Sequence, residues 1–274
     1  MPPASLASLL AVLRDIAPLS AAAAWDNCGL ILEPARTRPI QKILLAIDLT
    51  PAVAAEALRK KSDLIVAYHP PIFTGLKTLR ASDPGTGPLL GLLAAGVAVY
   101  SPHTALDAAP GGVADWIGGA FAASAVERLD EHGVVAAGGS GRLLHLRPAL
   151  TLAALGQTLS LHLGLPYVRV ARAATGAARI RRFAFCPGAG ASVLRGALAD
   201  AVFSGEMRHH DVLDLNRRGT HVLLSEHSHS ERPYLPVLAK RLRQELPAGT
   251  RIDISRADRD PLELLLPPPS KERP

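Results

Sequence analysis

Apolar positions along this chain alternate between two periods. Near the N-terminus Leu6, Leu9, Leu10 and Leu13 recur at helical spacing, which predicts an amphipathic first helix within ASLASLLAVLRDIA. A polar turn, Ala24 to Asn27, then leads into a strand through Gly29-Leu30-Ile31-Leu32. KILLAIDL (42–49) and DLIVAYHPP (63–71) are short apolar runs of the kind that become buried strands. Between them Thr50-Pro51 supplies an N-cap and a first-turn proline for the helix AVAAEALRKK. LLGLLAAG reads as a helix closed by Gly96, and VAVYSPH as a third strand.

Beyond Asp130 the pattern starts again. GRLLHLRP and YVRVAR read as strands with the helix TLAALGQTLSLHLG between them. RRFAFCPGAGASVLRGALADA reads as strand, glycine turn and helix, and HVLLSE opens another strand that a polar turn joins to a helix. Strands alternating with helices predict an α/β (α+β) protein with largely parallel sheet. We expect two α/β lobes: residues 1–128 with the returning segment 225–274, and residues 129–224. Gly138-Gly139-Ser140-Gly141 is the expected junction.

Composition narrows the function classes. The 274 residues are 48% hydrophobic, enough for a sizeable core, and the net charge of +6 is spread along the chain. The densest basic stretch, Arg179 to Arg182, has no interleaved aromatics, which argues against nucleic acid as a partner. No apolar run approaches a membrane span. Cys28 and Cys186 form no CxxC pair, so neither a disulfide framework nor a thiolate zinc site is expected, and a reducing compartment fits. The expected location is the cytoplasm, with the mitochondrion as the alternative because the acid-poor start has a transit-peptide look. The tail PLELLLPPPSKERP is expected to fray.

Three segments place a histidine where a strand ends: His69 in AYHPP, His103 in YSPHTALD and His227 in SEHSHSERPYL. Pro70 keeps His69 out of helical conformation. Asp107 and Glu231 follow the second and third histidines by four residues, so each pair shares a face if its segment is a helical turn. Ends of parallel strands meet at one crevice, so the three sites can converge. Imidazoles and carboxylates without thiolate suit Zn²⁺, Mn²⁺ or Fe²⁺, as one ion or two. Singly, each histidine reads more readily as a capping or core-edge group than as a ligand; recurrence at one structural position is the argument for metal. Glu206, in SGEMRHH, is a candidate general acid or base, or simply an acid in a helix first turn. The turn CPGAGAS reads as an anion cradle or as tight strand-to-helix packing. His132, His145, His162 and His221 lack carboxylate partners in the pattern and read as structural, and His229 reads as a neighbour of the site.

The blocks WDNCGLILEP, VAYHPPIF, VYSPHTALDAAPGGVADWI, AFCPGAG, ADAVFSGEMRHHDVL and EHSHSERPYL, in that order, resemble the Nif-three-like family, also catalogued as GTP cyclohydrolase I type 2 homologues. The resemblance runs from about residue 5 to near 260, and YHPP looks like its eukaryotic branch, without the inserted domain of longer members. It implies two α/β lobes with a dinuclear metal site in the cleft between them, a ring-shaped hexamer, and a transcriptional coactivator as protein partner. Its implied ligands are His69, Asp107, His227 and Glu231, with His103 at the site. Tyr68 stands where bacterial members carry a further histidine, which puts a second ion in question. Trp25, Asp26 and Asn27 are implied to line the cleft, and Glu206 and His210 to lie near the substrate. The function expected is a metal-dependent hydrolase acting on a nucleotide-like or phosphate-bearing molecule, against a non-enzymatic metal-binding scaffold.

Overall fold

The computed structural model describes residues 4–36, 38–263 and 265. The tail from 266 onward, expected to fray, lies outside the described residues.

The leucine-spaced start is α1 (Leu6–Ile16), whose N-cap Ser5 accepts a hydrogen bond from the Ser8 amide. Its buried face is Leu6, Leu9, Leu13 and Ile16. Next come β1 (Gly29–Leu32), β2 (Lys42–Ala46), α2 (Pro51–Lys60, capped by Thr50) and β3 (Leu64–Ala67). They are followed by α3 (Gly87–Ala94), β4 (Ala98–Ser101), α4 (His103–Ala108) and α5 (Val113–Gly118). The chain then builds β5 (Ala123–Asp130), β6 (Gly133–Val135), β7 (Gly141–Leu150), α6 (Leu152–Leu163) and β8 (Arg169–Ala171). It continues with β9 (Ile180–Cys186), α7 (Ala191–Leu194), β10 (Ala201–Ser204), α8 (His209–Arg217) and β11 (His221–Leu224). Last are α9 (Leu235–Glu245) and β12 (Arg251–Ile254).

The strands form two sheets in a mixed α/β fold, in the orders β1-β4-β3-β2-β12 and β6-β5-β7-β9-β10-β11-β8. In the first, β4, β3, β2 and β12 run parallel and only the edge strand β1 is antiparallel. In the second, only β9, β10 and β11 are parallel. The expected parallel character therefore holds for one sheet, whereas the second is mixed. Its β5, β6 and β7 are joined by turns of a few residues, too short for a parallel crossover.

Gly138 to Gly141, expected between the lobes, instead turns the chain from β6 into β7 inside the second sheet. A Cβ on Gly139 would sit 2.5 Å from the Leu129 carbonyl oxygen, and its φ of +74° lies in the left-handed region, so glycine serves the turn rather than a hinge. The expected boundary at 128/129 falls within β5.

One apolar cluster joins the sheets. Leu45, Val66 and Tyr100 of the first belong to the same buried group as Leu144, Phe183 and Phe203 of the second. The opposite face of the first sheet packs Leu44, Ile65 and Val99 on Val53 and Ala57 of α2, and that of the second packs Ala184, Val202 and Val222 on Leu194 and Leu215. Among the described residues no helix is long and apolar enough to cross a membrane.

Candidate metal centre

Parallel order fixes where the chemistry sits. Because β2, β3 and β4 point the same way, the residues just past them, Asp48, His69 and His103, arrive at one sheet edge. The parallel trio of the second sheet likewise delivers Gly188, Gly205-Glu206 and His227 beyond β9, β10 and β11. A cavity of about 410 Å³ is lined from both sides, by His69, His103 and Asp107 of the first half and by Cys186, His227 and Glu231 of the second.

His69, His227 and Glu231 each present one ligand atom, and these atoms all lie within 4.8 Å of one another. His69 Nε2 is 3.3 Å from Glu231 Oε2, and His227 Nε2 is 3.5 Å from Glu231 Oε1. Glu231 is 3% exposed, and both its Oε2 and His69 Nε2 are buried without a hydrogen-bond partner. A buried carboxylate oxygen facing an unpartnered imidazole nitrogen is costly unless a proton or a metal cation joins them. The donor set, two imidazoles and a carboxylate, suits a divalent transition ion.

The histidines share a support. His69 Nδ1 donates to Asp48 Oδ1 at 2.9 Å, His103 Nδ1 to Asp26 Oδ1 at 2.8 Å, and His227 Nδ1 to Glu206 Oε1 at 3.0 Å. A carboxylate only accepts, so in each ring Nδ1 carries a proton, and Nε2 is the nitrogen left to face an ion when one is bound. This is the arrangement that orients metal-binding histidines. Asp26 also accepts from the Thr104 amide (3.1 Å), the Thr104 hydroxyl and Cys28 Sγ.

The electrostatics follow from packing. Burial works against a charged His69, yet the Asp48 and Glu231 carboxylates outweigh it and push the imidazole up to about 10. Asp107 is pushed up to about 7, by burial first and then by the Glu231 charge. Asp26 is held low: burial raises it, and the hydrogen bonds from His103, Cys28 and Thr104 more than reverse that. Burial, followed by Asp107 and Glu231, drives the Tyr68 phenol well above its ordinary value.

The expected i,i+4 geometry is realised in both pairs. His103 opens α4 with φ of +28°, and Asp107 lies one turn on, buried. His227 precedes two short 3₁₀ turns, Ser228–Ser230 and Arg232–Tyr234, with Glu231 between them. Asp107 and His103 line the cavity without joining the three-residue cluster, and Tyr68 donates its hydroxyl to Asp107 Oδ1. Glu206 reaches the centre only through His227, and exposed His210, on the first turn of α8, is not among the cavity-lining residues. The ring of His209 is 5.5 Å from that of His210.

The turn CPGAGAS is explained by closeness. A Cβ on Gly188 would stand 2.5 Å from Glu231 Oε1 and 3.1 Å from His227 Nε2, and one on Gly205 would stand 2.8 Å from His227 Cα. Ser204 Oγ and Ser230 Oγ pin the loop, bonding the Gly190 amide and the Gly188 amide, each at 2.8 Å. Among the histidines read as partnerless, His145 has Glu127 on the neighbouring strand at 2.5 Å. His229 Nδ1 donates to the Ser225 carbonyl at 3.1 Å.

Asp48 was not apparent from sequence, where it reads as the end of an apolar strand. Nor was the segment after β12. There Asp258 accepts from the Ile47 amide (2.6 Å) and from Arg232, and Asp260 accepts from Ser228 Oγ (2.6 Å). Glu56 accepts from Ser255 Oγ (2.6 Å) and from the Arg256 (3.0 Å) and Ala257 (2.9 Å) amides.

The family model described as Duf34/NIF3 (NGG1p interacting factor 3) matches residues 4–261. The chain is 40% identical to NIF3-like protein 1 of Drosophila melanogaster over 94% of its own length and 88% of the relative's. It is 33% identical to the NGG1-interacting factor 3 of Saccharomyces cerevisiae, covering 87% and 89%. A Bacillus cereus protein related to NIF3 superposes with a TM-score of 0.80 over 97% of this chain and all of that one, at 17% identity, a likeness of fold.

Proposed function

The chain belongs to the Duf34/NIF3 family, and within it we propose a metal-dependent hydrolase acting on a nucleotide-like or phosphate-bearing small molecule, centred on His69, His227 and Glu231. The observation that carries this reading is the pair of buried, partnerless atoms, His69 Nε2 and Glu231 Oε2, beside a second imidazole. A divalent ion, where bound, would supply Lewis acidity and lower the pKa of a water, to about 7 in a well-built zinc site. The chain's own groups do the rest. Asp48 and Glu206 hold the two ligand rings in one tautomer and orientation. His103, fixed at Nδ1 by Asp26, keeps Nε2 to take and return a proton inside the same cavity.

Tyr68 ties up one oxygen of Asp107, which favours a single well-held ion over the pair implied by bacterial relatives. Glu206, whose carboxylate faces His227, acts as a positioning residue rather than as the acid–base group. A hexameric ring is part of this reading, tested by the mass of the protein in solution.

The deciding experiment loads the protein with Zn²⁺, Mn²⁺ or Fe²⁺ and screens nucleotides and phosphoesters for turnover. Turnover abolished by His227→Ala is expected; turnover unchanged by that substitution overturns the proposal. A second reading, a protein-binding scaffold, draws on the name of the Saccharomyces relative as an NGG1-interacting factor. It predicts partner capture that survives chelation of the metal, with no catalysed reaction.

A further inference from the structure

Among the described residues the aromatic side chains are buried or half-buried, with two exceptions. Trp25 is 57% and Phe73 53% exposed, and they are the aromatic members of the large apolar side chains left in solvent among the described residues. Both line the cavity that holds His69, His227 and Glu231. Their ring centroids are 5.9 Å apart at 52°, and each meets His103 edge-on, at 6.1 and 6.3 Å.

The pair is held in place. Asn27, two residues after Trp25, donates from Nδ2 to the carbonyl of Ile72, next to Phe73, at 2.6 Å, so one hydrogen bond ties the two loops together. Upstream of Trp25 the Ala23 amide donates to Thr104 Oγ1 at 3.0 Å, and downstream Asp26 is fixed to α4. Pro70 and Pro71 restrict the backbone approaching Phe73. Exposed rings held this way by backbone anchors contribute nothing visible to the core, and each preorganised ring face can take a flat ligand with little ordering cost, the two inclined faces together making an angled recess.

We propose that Trp25 and Phe73 form an aromatic platform that takes the planar heteroaromatic ring, such as a nucleobase, of the molecule entering the His69/His227/Glu231 site. This deepens the hydrolase reading and rests on it for the identity of the site, while its own test needs no turnover. On this assignment Trp25 and Phe73 set specificity, and Asn27 positions them. Base-on-aromatic stacking is strong enough that removing one ring weakens binding by about 10-fold or more.

The chain has two tryptophans, and Trp116 stacks on His162 at 4.2 Å, outside this cavity. A Trp116→Phe variant therefore reports Trp25 fluorescence alone, with the wild type measured beside it to guard against misfolding. The probes are purine and pyrimidine nucleoside 5′-monophosphates, with ribose 5-phosphate as the ring-free control, on metal-free protein. Saturable quenching by at least one nucleotide and none by ribose 5-phosphate is expected. Calorimetry of Trp25→Ala and Phe73→Ala is expected to show about 10-fold weaker nucleotide binding, while the same variants loaded with Zn²⁺ separately take up as much metal as the wild type. Equal affinity for nucleotide and ribose 5-phosphate, full affinity in Trp25→Ala, or no quenching by any nucleotide overturns the proposal. Quenching that follows protein concentration and ignores nucleotide also overturns it, assigning the rings to contact between copies. Failure of the hydrolase reading is separate: it is a lack of His227-dependent turnover, whatever the nucleotide binds.

Discussion

Asp48 Oδ1 stands 2.9 Å from Nδ1 of His69, and the far nitrogen of the same ring faces Glu231 at 3.3 Å. The imidazole is thus held between two carboxylates, one fixing its tautomer and the other sharing its open side. Asp48→Asn keeps the volume and loses the fixed charge, and an amide can offer Nδ1 either a donor or an acceptor. Zn²⁺ affinity in this variant, measured by competition with a chromophoric chelator, is expected to fall about 10- to 100-fold. His69→Ala is expected to fall further.

Gly188 is a steric test of the same centre. Its φ is +60°, and a Cβ there would meet Glu231 Oε1 at 2.5 Å. Gly188→Ala is expected to cost about 1–3 kcal/mol in urea unfolding and to lower metal content. Gly196→Ala, at a position with open space and no positive φ, is the control and is expected to leave metal content unchanged.

Tyr68 is the residue at which this centre is expected to depart from the family's bacterial pattern. Buried at 3% exposure, it spends its hydroxyl on Asp107. Elemental analysis should find one ion per chain in the wild type and additional metal in Tyr68→His, where an imidazole replaces the phenol. Metal content equal in the two proteins would show that Tyr68 does not limit occupancy.

Acid stability has an identifiable contributor in Glu56. Burial alone would raise its pKa, but bonds from Ser255, the Ala257 amide and Lys60 outweigh that and bring it down to about 2. With a folded value below the unfolded one of about 4.3, its contribution is complete above the unfolded value and is lost as the pH falls toward 2. Thermal melts followed by circular dichroism should drop through that window. In Glu56→Gln, which starts from a lower melting temperature, the drop should be shallower.

The parts of the centre legible in the sequence were those written locally. His69, His103 and His227 each close an apolar run, and Asp107 and Glu231 follow at one helical turn, so strand ends and carboxylate spacing could be read without a structure. What escaped was set by register between distant strands. Nothing near Asp48 in IDLTP announces that β2 lies beside β3 and brings it against His69. The Glu127–His145 pair depends on how β5 aligns with β7, which alternation alone does not specify. The hairpin of β5 and β6 was likewise unseen, because AVERLDEHGVV carries too many charges to read as strand on apolar pattern.

The segment that follows β12 has a consequence for the timing of assembly. Residues 255–260 clasp Glu56, the amide of Ile47 and the side chains of Ser228 and Arg232, contacts that span up to 211 positions of the chain. On a ribosome, where synthesis proceeds at about 5–20 residues per second, His69 emerges long before Glu231, and Asp258 later still. The nascent chain carries the candidate ligand set unfinished for roughly 10 to 30 seconds. A metal ion held by His69, His227 and Glu231 would therefore be taken up by the completed polypeptide, from whichever divalent cations surround it at that moment.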